Sequence, residues 1–149
     1  MRPDILVRDV NGDAVLAVEV KARRGVGSDW AQQLRRNLIA HGAYVHPRFF
    51  VVVTTDEAFL WRDRDHTDRF EVRPPDASAR TRELLGDHLP AEGNLDGRAL
   101  ELVVSAWLNS VASTDALPLA TPPASSFLVG SGLHAALRVL GNVIAFEVA

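Results

Sequence analysis

The chain has 149 residues, no cysteine, 47% hydrophobic and 23% charged residues, and a net charge of −3. That suffices for one domain with its own core, and it excludes disulfides, thiolate metal sites and a chain-wide basic surface. No run approaches the ~20 apolar residues of a membrane span, and Met1-Arg2-Pro3-Asp4 leads straight towards a strand with no signal-peptide pattern, so the expectation is a cytoplasmic protein that meets no membrane.

The first element in the chain is a hairpin. Residues 3–9 and 14–22 read as paired strands around Asn11-Gly12, the residue pair favoured by two-residue type I′ turns. Both strands carry apolar residues on both faces, which predicts cover on each side. With Asn11 and Gly12 at the centre of the turn, Val10 pairs with Asp13 and the numbers of cross-strand partners sum to 23. Asp4 then stands opposite Glu19, and Arg2 opposite Lys21. Residues two apart on a strand share a face, so Glu19 and Lys21 point the same way.

Two carboxylates and an ammonium thus converge where opposed Cβ atoms lie only ~4.5–5.5 Å apart, and like charges placed so destabilise a sheet unless something neutralises them. A divalent cation would do so, which points to metal-assisted hydrolysis of a phosphodiester. The rival reading is a solvent-facing acid pair. Ala17-Val18-Glu19-Val20-Lys21 opposes it, because the charges interrupt a segment otherwise patterned as buried.

Gly25-Val26-Gly27 ends the second strand, and Ser28 or Asp29 is expected to cap a helix running to about Ala40, with Gly42 as its stop signal. Trp30, Leu34, Leu38 and His41 form its predicted inward stripe, with Gln33 and Asn37 inside it and Gln32, Arg35 and Arg36 away from it. Residues 48–54 read as a buried strand, 55–57 as a turn and 58–62 as a further strand. A charged connection from 63 to 76, with a short strand at 69–73, leads to a helix candidate at 78–88. Asp96 or Gly97 opens a stronger helix, residues 112–126 read as a loop, 132–140 as a helix ending at Gly141-Asn142, and 143–148 as a last strand.

The order of elements predicts an α/β fold, a mixed sheet flanked by helices, in a single domain over 1–149. Within it, 1–74 form the core and 75–149 a helical extension with the final strand. Charge is uneven: residues 1–48 hold eight Lys/Arg against five Asp/Glu, a net of +3, and the rest hold eight against fourteen, a net of −6. The basic excess surrounds the carboxylates; it suits contact with phosphates, and it reads equally as a solvated surface.

Pro3-Asp4, a spacer, and Glu19-Val20-Lys21 resemble the signature of the PD-(D/E)XK nuclease superfamily, the restriction-endonuclease-like fold. Gln32-Gln33 on the following helix is similar to the glutamine-bearing helix of many members. The strand 49–53 with the segment after it resembles the branch related to type I restriction subunits and restriction-like proteins, so the likeness covers residues 2–62. It implies Asp4, Glu19 and the carbonyl of Val20 as ligands of Mg²⁺, with Mn²⁺ as a substitute, and Lys21 as the group that orients or activates the attacking water or stabilises phosphate charge. Gln33, taken as inward-facing, would hold a ligating carboxylate or a water. DNA is the implied substrate, in restriction, defence or DNA processing, and a homodimer the implied form for cutting both strands.

One departure stands out. Members of the superfamily usually have a helix, and often a strand, before the Pro-Asp strand, and that helix can supply a further acid; here only Met1-Arg2 precede Pro3. The first core helix is therefore expected to be missing, or its side to be covered by residues 132–148. A catalytically inactive nucleic-acid-binding or assembly module of the same fold is the alternative, and a metal-independent interaction domain a third. The residues 63–68 read as an exposed charged turn rather than a calcium loop, the five histidines lack zinc spacing, Gly130-Ser131-Gly132 reads as a turn, and Phe49, Phe50 and Trp61 as core.

Overall fold

Strands β1 (Ile5–Arg8) and β2 (Ala14–Lys21) pair antiparallel, with Ile5 opposite Val18, Leu6 opposite Ala17 and Val7 opposite Leu16. This is the predicted register, but the turn reaches it differently. Asp9 donates its N–H to Asp13 across a three-residue loop, Gly12 donates to the Asp9 carbonyl, and Gly12 takes φ +84°. Such a loop, a tight turn closed by a left-handed residue, shifts the pairing by one relative to a two-residue turn. Arg8 accordingly faces Ala14, and a bulge between Val7 and Arg8 leaves Val15 as the extra residue. The bulge restores the register before the strands reach Asp4 and Glu19. Arg2 lies outside the described residues, so its place opposite Lys21 does too.

The computed structural model describes residues 3–41, 46–63, 72–91, 93–118, 121–140 and 145–148, the last four and Leu140 by backbone alone. After β2 come α1 (Ser28–Ala40), β3 (Phe49–Thr54), β4 (Glu57–Arg62), β5 (Ala77–Arg80), α2 (Thr81–Leu85), α3 (Gly97–Ser113), α4 (Pro122–Ser125), α5 (Leu133–Leu140) and β6 (Ala145–Val148). The six strands form one mixed sheet in the order β5-β4-β3-β2-β1-β6. Only the β2–β3 pair is parallel, joined by α1; the other pairs are antiparallel. Among the described residues no helix is long and apolar enough to cross a membrane.

Each face of the sheet has its own core. On one, Ile5, Val7, Leu16, Val18, Val20, Val51, Val53 and Leu60 pack with Leu100, Val104, Trp107 and Leu108 of α3 and with Leu133 and Leu137 of α5. On the other, Leu6, Ala17, Phe50, Val52, Phe59 and Trp61 pack with Ala31 and Leu38 of α1. Each such Val or Leu contributes ~1.5–3 kcal/mol by leaving water, so β1–β4, buried on both sides, form the least yielding part of the molecule.

Four expectations need correction. The 78–88 segment begins as a strand: Ala-Ser-Ala-Arg has little intrinsic β preference, but pairing of Leu60 with Ala77 and of Glu57 with Arg80 fixes it as the sheet's edge. The helix from residue 97 continues to Ser113, and α4 opens at Pro122, so the expected loop 112–126 is shorter, its residues 119–120 lying outside the description. Gly27, not Ser28 or Asp29, is the N-cap of α1, and it makes no side-chain cap. The fourth correction is the face of α1, which bears on the site. The short strand expected at 69–73 lies largely outside the described residues, as do Gly42 and Gly141-Asn142.

Candidate metal and phosphodiester site

At the end of β2 remote from the turn, Glu19 lies on the strand face shared with Ala17, between Val18 and Val20, which point into the opposite core. It is only 3% exposed. A carboxylate removed from water needs a partner, and Lys21 Nζ lies 3.3 Å from Glu19 Oε1 while keeping part of its own side chain in solvent. Asp4 stands where β1 begins. Its Oδ2 accepts a 2.7 Å hydrogen bond from the Val20 N–H, a bond that a neighbouring strand would otherwise take.

Pro3 explains why the strand gives way here. The same register carried two steps beyond the Ile5–Val18 pair sets Pro3 opposite Val20. A residue's N–H and C=O point to the same neighbouring strand, so the Val20 carbonyl also faces the Asp4 side, and proline has no N–H to offer it. The Pro-Asp pair thus replaces one ladder position with a carboxylate and directs a backbone carbonyl towards it.

A third acid joins them. Glu101, in the first turns of α3, lies close enough to Asp4 for the two carboxyl groups to interact. Burial pushes the Glu101 carboxyl above its ordinary value of 4.5; the neighbouring Asp4 carboxyl pushes the same way, Arg98 pulls it back, and Glu19 adds a smaller upward push. Glu101 therefore feels both Asp4 and Glu19 as well as Arg98, and Lys21 pairs with Glu19. Among the described residues, no group of three or more His, Cys, Asp and Glu side chains is placed so that it could hold a metal ion; Asp4 accepts a backbone amide and Glu19 pairs with the Lys21 ammonium.

Of the residues expected at the site, Asp4, Glu19, Val20 and Lys21 come together. Gln33 does not. The buried residues of α1 are Ala31, Arg35 and Leu38, whereas Gln33, Asn37 and His41 are exposed. The inward face is rotated by about one residue from the expected one, because Ala31 packs against the sheet and Arg35 places its guanidinium 5.6 Å from the Trp61 ring centre. Cation–π contact lets a charged residue occupy a position that a hydrophobic stripe would assign to Leu34. Glu101 was not anticipated. Its signal was its spacing: it falls three and seven residues before the buried Val104 and Leu108, an acid set within the apolar stripe of α3.

Compared with protein-family models, with curated proteins and with solved structures, the chain matches none.

Proposed function

We propose that this protein is a Mg²⁺-dependent nuclease that hydrolyses phosphodiester bonds of DNA, with a restriction-endonuclease-like core. The carrying observation is that Asp4, held on the Val20 N–H, and Glu19, paired with Lys21, lie at the same end of the β1–β2 hairpin, both within electrostatic reach of Glu101. Further support comes from β6 and α3. The strand adds to the free side of β1 and the helix brings an acid to Asp4, the two tasks that the superfamily resemblance gives to elements preceding the Pro-Asp strand.

The donor set fits a hard cation. Carboxylate and carbonyl oxygens are the ligands Mg²⁺ takes, and it retains waters beside them. Asp4 and Glu19 would hold it, with the Val20 carbonyl. When bound it supplies Lewis-acid polarisation of the phosphate and acidifies a coordinated water. Lys21 is placed to orient that water, to accept its proton or to stabilise phosphate charge. A cation held by Asp4 would favour the ionised form of the neighbouring Glu101 carboxyl.

The test is nicking of supercoiled plasmid with and without Mg²⁺, read beside thermal melting. The wild type is expected to nick only with the metal, and to melt higher with it. Glu19→Gln should lose about 10³-fold or more of the rate, the several kcal/mol of transition-state stabilisation that a metal provides, and lose the metal-induced rise in Tm. Nicking by Glu19→Gln at the wild-type rate would end this reading.

A further inference from the structure

The same end of the sheet carries a groove beyond the acids. Lys21 pairs with Thr54, Val53 with Ala58, and Glu57 with Arg80, so Lys21 and Arg80 lie at one edge, three strands apart. At a strand spacing of about 4.8 Å this is roughly 14 Å. At this end of the sheet a concavity of about 430 Å³ is lined by Arg24, Asp56, Glu57, Arg80, Arg82 and Leu100, among others. Leu100 adjoins Glu101, so the start of α3 forms a wall of the groove and also reaches the acids.

The charges in this groove are not equally committed. Arg24 hydrogen-bonds Asn94 and lies 3.8 Å from Asp56, and Asp56 also accepts the Gly25 N–H at 2.9 Å. Arg24 and Asp56 thus hold the loop after β2 against the loop before α3. Arg80 and Arg82 are exposed and have no ion-pair partner among the described residues, although Glu57 stands directly across the strand from Arg80. Two guanidiniums without ion-pair partners among the described residues line this concave surface, with Lys21 at the same end of the sheet, and form an anion track in a chain of net charge −3. A guanidinium offers a planar fork of donors that matches phosphate oxygens.

We infer that this groove binds the sugar–phosphate backbone of the substrate, Arg80 and Arg82 contacting phosphates on one side of the bond presented to Lys21. The inference rests on the nuclease reading for what happens at Lys21, but not for binding in the groove. At ~3.4 Å per nucleotide along one strand, the 14 Å span corresponds to about four nucleotides. Backbone contacts of this kind give affinity and register without sequence readout.

Fluorescence anisotropy of a labelled 16-base-pair duplex, in EDTA so that no hydrolysis competes, tests it across a salt series. Each phosphate contact contributes about −0.9 to the slope of log K against log salt. The double variant Arg80→Gln/Arg82→Gln should therefore flatten the slope by about 1.8 and weaken binding by roughly 10- to 60-fold at 0.1 M salt. Arg48→Gln, at the opposite end of β3 and about 20 Å away along the strand, should change neither. A double variant that keeps the wild-type slope and affinity overturns the groove assignment and leaves the nuclease reading standing. Loss of slope in a protein that nonetheless never nicks DNA with Mg²⁺ supports the groove and removes the nuclease reading. A wild type that binds no duplex overturns both.

Discussion

The two ends of the β1–β2 hairpin both gather acids, yet they treat them in opposite ways. At the turn, Asp9 Oδ1 accepts the N–H groups of Asn11 and Asp13 at 2.9 and 3.0 Å in an exposed loop, where water screens whatever charge remains. At the open end Glu19 is buried, Asp4 replaces a ladder partner, and Glu101 is drawn onto Asp4 with its carboxyl raised. The turn uses a carboxylate to close backbone geometry. The open end concentrates carboxylates that the local backbone alone does not satisfy, and the Lys21 ammonium pairs with the buried one. Clustering of acids is therefore uninformative by itself; what distinguishes the two ends is burial and the kind of partner each acid has.

The largest effect that would sharpen this contrast lies at Lys21, whose ammonium is the close partner of buried Glu19. Lys21→Gln is expected to lower the nicking rate by about 10²- to 10⁴-fold, the usual contribution of a positioned acid or base. It should also remove a limb of the pH–rate profile. A variant slowed but with an unchanged profile would show that Lys21 stabilises charge and does not accept the proton. Asp9→Ala at the other end should leave both rate and profile as in the wild type.

The contrast also explains what could be read in advance. The register that carries Asp4 to the Val20 end of β2 was legible because a strand's period of two leaves few registers compatible with burial on both faces, and the bulge at Val15 corrected the error in the turn. Gln33 was misplaced because a hydrophobic stripe weights Leu34 and discounts Ala31 and Arg35, whereas packing against Trp61 chose the latter two. The strand Ala77–Arg80 carries no β-branched residue, so only its partner β4 defines it. Glu101 belongs to the site through the docking of α3 on the sheet, a long-range contact that local pattern does not encode. In short, the half of the site within one hairpin was readable, and the part delivered by tertiary packing was not.

Glu101 gives the next test, through pH. Its folded-state carboxyl is raised above 4.5, so below that value the folded and unfolded chains both hold the proton and the stabilising contribution is complete. As pH rises through the folded-state value the proton is lost and the contribution with it. Metal-free protein should accordingly lose stability as pH rises from 4.5 through this window, and Glu101→Gln should flatten that part of the curve. Because ligands must be deprotonated to bind a metal, the Tm increment given by Mg²⁺ should grow over the same window in the wild type. Thermal melts at a series of pH values, with and without Mg²⁺, check both slopes. A metal increment independent of pH would place Glu101 outside the linkage.

The smallest effects belong to the turn, and their smallness is the point. A Cβ at Gly12 meets nothing within 4 Å, so Gly12→Ala introduces no clash. The cost comes only from holding φ near +84° with a side chain, about 1–2 kcal/mol. Asp9→Ala removes one acceptor serving two exposed amides that water can satisfy instead, and about 0.5–1.5 kcal/mol is expected. Denaturant melts should resolve both losses, while the Mg²⁺-induced rise in Tm stays at its wild-type size. If either substitution instead diminished the metal response, the bulge at Val15 would be transmitting turn geometry to the acids, and the two ends of the hairpin could no longer be treated as independent.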